Sequence, residues 1–281
     1  MKNLTFTNRS KAVKEIGTSY LGNTAISMKL KKNTKVNGQK TYCIYLSPSN
    51  TSGYDVCPFA SKECKAGCLA MSGRVKMETD TKHAITTARI KKTCLFAENQ
   101  EYFMHWVIAE MNAAKALAES QKYEFSARLN GTSDIDYTKV LVNGSSIFEI
   151  FSDVQFYDYT KDASKFENKP ANYHLTFSYT GRNGKKAIEL LSKGFNVAVV
   201  FNVAKSKPLP AMYKGYKVID GDLTDYRPLD PKGVIVGLRW KNIKDKAVNA
   251  AIKQSVMVVQ TNDKDCIFET GNVQVNELEL V

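Results

Sequence analysis

The chain has 281 residues, of which 43% are hydrophobic and 10% aromatic; it can bury one large core and is too aromatic for a disordered segment. It contains no apolar run of the roughly 18 residues a membrane span needs, and residues 1–16 lack the continuous apolar stretch of a secretory signal. The expected setting is therefore a reducing cytoplasm, where clustered cysteines serve as metal ligands or catalytic groups more often than as disulfides.

The net charge of +12 is unevenly spread. Residues 1–40 carry nine Lys or Arg against Glu15, a net +8; residues 41–60 contribute −1 through Asp55; residues 61–93 contribute +5; and from Cys94 onward 23 basic residues balance 23 acidic ones. All of the surplus lies within residues 1–93. A basic face of this kind attracts phosphates, so nucleic acid or a nucleotide is the expected partner, against the plainer alternative of a solubility face.

In chain order, residues 1–40 read as short strands or hairpins, a basic N-terminal extension packing over one end of a domain that runs from 41 to 281. Gly38 serves a turn before a strand at 41–46, and Ser47 to Gly53 is a loop. The loop 57–74 follows, with Cys57, Cys64 and Cys68 in a C-x6-C-x3-C spacing. Helical periodicity covers 79–121, with a break near 98–100. Strands are expected at 124–129, 154–159, 174–179, 195–201, 217–219, 234–238 and 255–259, with helical connectors at 184–193 and 245–254. The run Phe195 to Phe201 is apolar on both faces, as buried parallel strands are. This alternation predicts one α/β domain, a TIM-like or partial (β/α) barrel, with a doubly wound sheet as the other arrangement.

Functional groups in such folds gather at the carboxyl ends of the strands. Cys57, Cys64 and Cys68 follow the first strand; Arg128, Asn130, Gly131, Thr132, Ser133 and Asp134 the second; Asp158, Tyr159, Thr160 and Lys161 the third; Ser178, Tyr179, Thr180 and Arg182 the fourth; Asn202 and Lys205 the fifth; Asp220, Asp222 and Asp225 the sixth. Structural zinc sites usually show two short Cys or His pairs, and this loop has one. An iron–sulfur cluster accepts irregular spacing, and one held by three thiolates keeps an iron open to a ligand. The loop thus points to a 4Fe–4S cluster, with zinc or unligated structural cysteines as alternatives. A fourth ligand would come from Cys43, Cys94, Cys266, His83, His105 or His174. Cys43 and Cys94 read as small core residues and Cys266 as exposed. Arg128 to Asp134 offers a guanidinium, an amide, two hydroxyls and a carboxylate suited to a phosphate, sugar or amino-acid moiety, beside the plainer reading of an Asn-Gly turn with an Asp cap. Asp220, Asp222 and Asp225 could hold a divalent cation, although a turn rich in capping residues is the better expectation. Gly233 to Gly237 is no dinucleotide fingerprint, and neither a P-loop nor a nucleophile elbow occurs.

The Cys-Pro-x5-Cys-x3-Cys-x5-Arg stretch, Arg128 to Asp134, Tyr157 to Lys161 and Phe177-Ser178 together resemble the tailed-phage proteins called gene product eighty-eight, over roughly residues 30–200. The resemblance implies a phage context, hence a bacterial host's cytoplasm, and directs attention to Arg128, Asp134, Tyr159 and Lys161 as catalytic candidates. That family often has a second cysteine group near its C-terminus, where this chain has Cys266 alone. In layout the chain also resembles radical S-adenosylmethionine enzymes, whose C-x3-C-x2-C loop differs in spacing. That likeness implies S-adenosylmethionine as a ligand, with Asn130 to Asp134 near its methionine amine and Asn130, Gly131 and Ser133 as binding candidates. Ser178 and Arg182 complete the candidate binding residues. The resulting expectation is a cluster-binding enzyme acting on a nucleotide or nucleic acid; the alternative is a zinc-stabilised nucleic-acid-binding protein without catalysis, in phage replication or regulation.

Overall fold

The computed structural model describes residues 20–24, 28–68, 70, 72–79 and 81–269. In chain order the elements are β1 (Gly22–Asn23), α1 (Met28–Asn37), β2 (Gln39–Ile44), α2 (Lys62–Ala66), α3 (Ala84–Glu98), α4 (Gln100–Ser120), β3 (Glu124–Arg128), β4 (Leu141–Val142), β5 (Ser145–Ser146), α5 (Ile147–Ile150), β6 (Gln155–Thr160), β7 (Tyr173–Ser178), α6 (Gly184–Ser192), β8 (Asn196–Phe201), β9 (Met212–Tyr213), β10 (Tyr216–Asp220), β11 (Ile235–Arg239), α7 (Lys246–Lys253), β12 (Val258–Val259) and β13 (Cys266–Ile267). Local chemistry sets several of the helix boundaries. Asn99 breaks the long helical pattern by capping α4 through Tyr102 N, Ser146 and Glu149 form a reciprocal capping box on α5, and Asp245 caps α7 through Val248 N.

Eleven strands form one mixed, mostly parallel sheet in the order β1-β2-β3-β6-β7-β8-β11-β10-β9-β13, with β12 joined to β8. Strands β2, β3, β6, β7, β8, β11 and β10 are parallel neighbours. Among the described residues the order does not return on itself, so the closed TIM-like barrel is not formed. The two edges that closure would join are already occupied: β1 pairs antiparallel with β2, and β9 pairs antiparallel with β10. The stretch expected to be short strands or hairpins holds one such strand, β1, but differs beyond it. Residues 28–37 form a helix, and residues 1–19 lie outside the described part.

The sheet has two unlike faces. Tyr42, Ile44, Phe125, Ala127, Phe156, Leu175, Phe177, Val197 and Val199 point into the main apolar core, which Phe103, Trp106, Val107 and Met111 of α4 and Leu190 and Leu191 of α6 complete. The alternate positions, which a strand turns to the opposite side, read Thr41 and Cys43, Ser126 and Arg128, Tyr157 and Tyr159, His174, Thr176 and Ser178. On β2, β3, β6 and β7 that face is polar and its groups bond one another, whereas on β8 and β11 it continues as Ala198, Val200, Val236 and Leu238. Thr41 Oγ1 lies 2.9 Å from Ser126 Oγ, and the buried Asn33 of α1 donates to Thr41 Oγ1 and Tyr157 Oη at 3.2 and 2.9 Å. Asn33 Oδ1 accepts from Thr224 Oγ1 and Asp225 N, in the loop after β10. Side chains therefore tie the first and last parallel strands across the gap that backbone pairing leaves open.

Candidate metal centre

The three-cysteine loop lies over the carboxyl ends of the sheet, as placement after the first long strand requires. Contacts fix it there from several strands. Cys57 Sγ accepts from Ser49 N at 3.4 Å and lies 3.7 Å from the Thr132 carbonyl, beyond β3. Helix α2 carries Cys64, is capped by Ser61 at Cys64 N, and ends at Gly67. A Cβ at Gly67 would stand 2.8 Å from Ile252 and 3.0 Å from Trp240, so glycine lets α2 press against the segment after β11 and against α7. Glu63 of α2 forms an ion pair with Arg182, beyond β7, at 2.7 Å. All three cysteines are half-buried free thiols.

One cation neighbours all three, and a second neighbours Cys68. The Lys161 ammonium, beyond β6, hydrogen-bonds the Cys64 sulfur. Burial works to lower the Lys161 pKa, but Cys64, Asp134 and Cys57 around the ammonium outweigh it, and the pKa ends raised. Arg89 of α3 donates to the Ala70 carbonyl at 2.9 Å and lies beside Cys68. Burial pushes the Cys57 thiol up to about 11, partly opposed by the Ser49 N–H, and also raises Cys68, opposed by the Ala70 N–H, Lys161 and Arg89. The protein alone thus holds Cys57 and Cys68 as thiols; a bound cation would favour thiolates.

Among the described residues no three His, Cys, Asp or Glu side chains stand close enough together to hold a metal ion. The donor chemistry fits a thiolate-bound centre, while Lys161 stands among the donors. None of the residues considered for a fourth ligand is drawn to them. Cys43 is buried against Gly131, Cys94 Sγ faces the Ser52 carbonyl at 3.8 Å, and Cys266 lies half-buried in β13. His83 precedes α3, His105 faces Glu101 at 3.8 Å, and His174 sits on β7 with its buried Nε2 lacking a hydrogen-bond partner.

The remaining candidates sit at the same edge, with committed partners. Arg128 is buried, its Nη1 2.6 Å from Asp225 Oδ2 and its Nε 3.6 Å from Asp158 Oδ1, and the rings of Tyr159 and Tyr157 flank the guanidinium at 5.2 and 5.7 Å. Asp134 accepts from Thr160 Oγ1, Lys161 N and Lys165 Nζ, each at 2.7–2.8 Å. Asn130 Oδ1 accepts from Ser133 Oγ and Ile135 N, which closes the turn the Asn-Gly pair announced. Gly131 is needed for close approach: a Cβ there would lie 2.5 Å from the Ile44 carbonyl oxygen. The Ser178 carbonyl accepts from Asn183. Asp220 and Asp222 surround the Arg239 guanidinium, at 2.8 and 3.5 Å, and Lys241 Nζ lies 3.5 Å from Asp222, so that pair of acids is neutralised by two cations. Sequence reasoning missed Lys165, Arg89, Glu63 and Arg239. Of these only Glu63, inside the cysteine loop, carried a local signal.

The family model described as Gene product 88 matches residues 8–255. No curated protein and no solved structure matches the chain, and the layout likeness to radical S-adenosylmethionine enzymes gains no support.

Proposed function

The chain belongs to the Gene product 88 family, the phage family its motifs resemble, and from that premise we propose that it is an iron–sulfur protein. Cys57, Cys64 and Cys68 would hold the cluster at the carboxyl edge of what is then a partial (β/α) barrel. The observation that supports this reading is that three free cysteines share Lys161 as a cationic neighbour, with Arg89 beside Cys68. Three thiolates around an iron–sulfur core leave net negative charge, which the two cations would offset. Zinc is the weaker reading because structural zinc closes its shell with four ligands, and no fourth is drawn to this loop.

A cluster held by three cysteines keeps one iron for a ligand, which makes an enzyme the natural use of this centre, with a nucleotide or nucleic acid as substrate and S-adenosylmethionine as the ligand to assay first. Lys161, half-buried beside the cysteines, and Tyr159, half-buried two residues before it on β6, would be the residues to meet a substrate, with Arg128 and Asp134 as their positioning partners. The test is anaerobic purification followed by metal and sulfide analysis. The expected protein is brown and carries about four irons and four sulfides per chain, lost together in Cys64→Ser. Colourless protein carrying one zinc per chain overturns the proposal.

A further inference from the structure

The charge surplus of the first third acquires neighbours that the linear sequence does not show. Helix α1 carries Lys29, Lys31, Lys32 and Lys35 and no acid, and Lys31, Lys32 and Lys35 are exposed while Leu30 and Asn33 face inward. Lys32 Nζ donates to the Asp222 carbonyl at 2.9 Å, and Lys241 Nζ lies 3.5 Å from Asp222 Oδ1. Three residues on, the exposed Lys244 donates to the Glu78 carbonyl at 2.9 Å, which brings Lys76 and Lys82 into the same zone. The acids inside this band are already engaged. Asp222 receives Arg239 N and its guanidinium, and Glu78 caps α3 through Ile85 N, Thr86 N and Thr86 Oγ1.

The band runs along the cysteine loop. Trp240, next to Lys241, packs on Gly67 at the end of α2, and Phe59, between Cys57 and Cys64, is 53% exposed. A row of lysines with Trp240 beside Lys241 and Phe59 on the adjoining cysteine loop matches what a flexible single strand requires, phosphates on the cations and bases on the rings. A duplex keeps its bases stacked inside and gains nothing from Phe59. We propose that α1, the 240–246 segment and the cysteine loop form a binding path for single-stranded nucleic acid that crosses the cysteine centre. The path stands on charge and aromatic placement and is independent of which metal the cysteines hold.

Fluorescence anisotropy with labelled oligothymidylate and oligouridylate tests it on the full chain. Binding should weaken steeply with salt. The pair Lys31→Glu and Lys35→Glu, and separately Lys244→Gln, should weaken it and flatten the salt slope by about one per phosphate contact removed. Phe59→Ala should cost about tenfold through lost stacking. Lys122→Glu, at the amino-terminal edge of the sheet, should leave binding unchanged. The parent chain stripped of metal by a chelator should still bind, which separates failure of this path from failure of the metal reading. No binding at low salt, charge reversals on α1 without effect, or equal affinity for duplex with Phe59→Ala silent would each overturn the proposal.

Discussion

Replacing Arg128 with methionine probes whether the arginine at the end of β3 holds the polar face together. Methionine keeps most of the volume and removes the charge. Asp158 would still accept from Leu129 N, Asn130 N and Tyr173 Oη. Asp225 loses the 2.6 Å guanidinium contact while its side chain is 1% exposed, so the uncompensated charge falls mainly there. Removing one partner of a buried ion pair typically costs about 3–5 kcal/mol, a fifth or more of the ~5–15 kcal/mol that holds a typical domain folded. In urea, where stability falls by ~1–3 kcal/mol per molar, the midpoint should drop by about 1–5 M. Adding Asp225→Asn should recover part of the loss, with a coupling of about 2 kcal/mol between the sites. A midpoint within scatter of the parent, or additive single effects, would refute the assignment of Arg128 to a buried tie.

Two further outcomes test other parts of the description. Burial, with Lys169 and Arg227 nearby, lowers the His174 pKa to about 4, so the unfolded chain takes up the proton first as pH falls. The stability this neutral histidine contributes is full above pH 6.5 and is lost as pH drops toward 4, by up to about 3 kcal/mol; urea midpoints across that range should fall in the parent and flatten in His174→Gln, and equal slopes would count against it. Gly131→Ala must displace the Ile44 carbonyl or the 130–134 turn, at about 1–3 kcal/mol. Because Thr132 touches Cys57, its metal content should fall with the midpoint, and a variant with full stability and loading would show that the approach is looser than described.

The long strands were legible because β-branched and aromatic runs between Gly, Pro and Asn clusters carry the period-two signal, and β3, β6, β7, β8 and β11 begin and end within a residue or two of expectation. Helix α1 was not, because Lys, Asn and Thr dominate it and its inward face is Leu30 and Asn33; a buried asparagine looks like a turn residue until its partners are known. The open sheet was hidden for a related reason. Two-residue strands such as β1 and β9 block closure, and nothing in so short a run announces an edge. At the site, the cysteines and the Arg128 to Asp134 turn stood out by composition. Their partners did not, since Arg128 reaches Asp225 at 97 residues' distance and Asp134 reaches Lys165 at 31.

The tie between Asn33 and Asp225 spans 192 residues. Synthesis at ~5–20 residues per second puts roughly ten to forty seconds between the appearance of one partner and the other. In that interval β2, β3, β6 and β7 can assemble against α4, but the side of the sheet that awaits the loop after β10 stays uncovered. Thr41, Ser126, Arg128 and Tyr157 on that side can be hydrated while they wait, whereas an apolar surface would recruit other nascent chains. The polar face is thus a safeguard during a long translation as well as a lining in the finished fold.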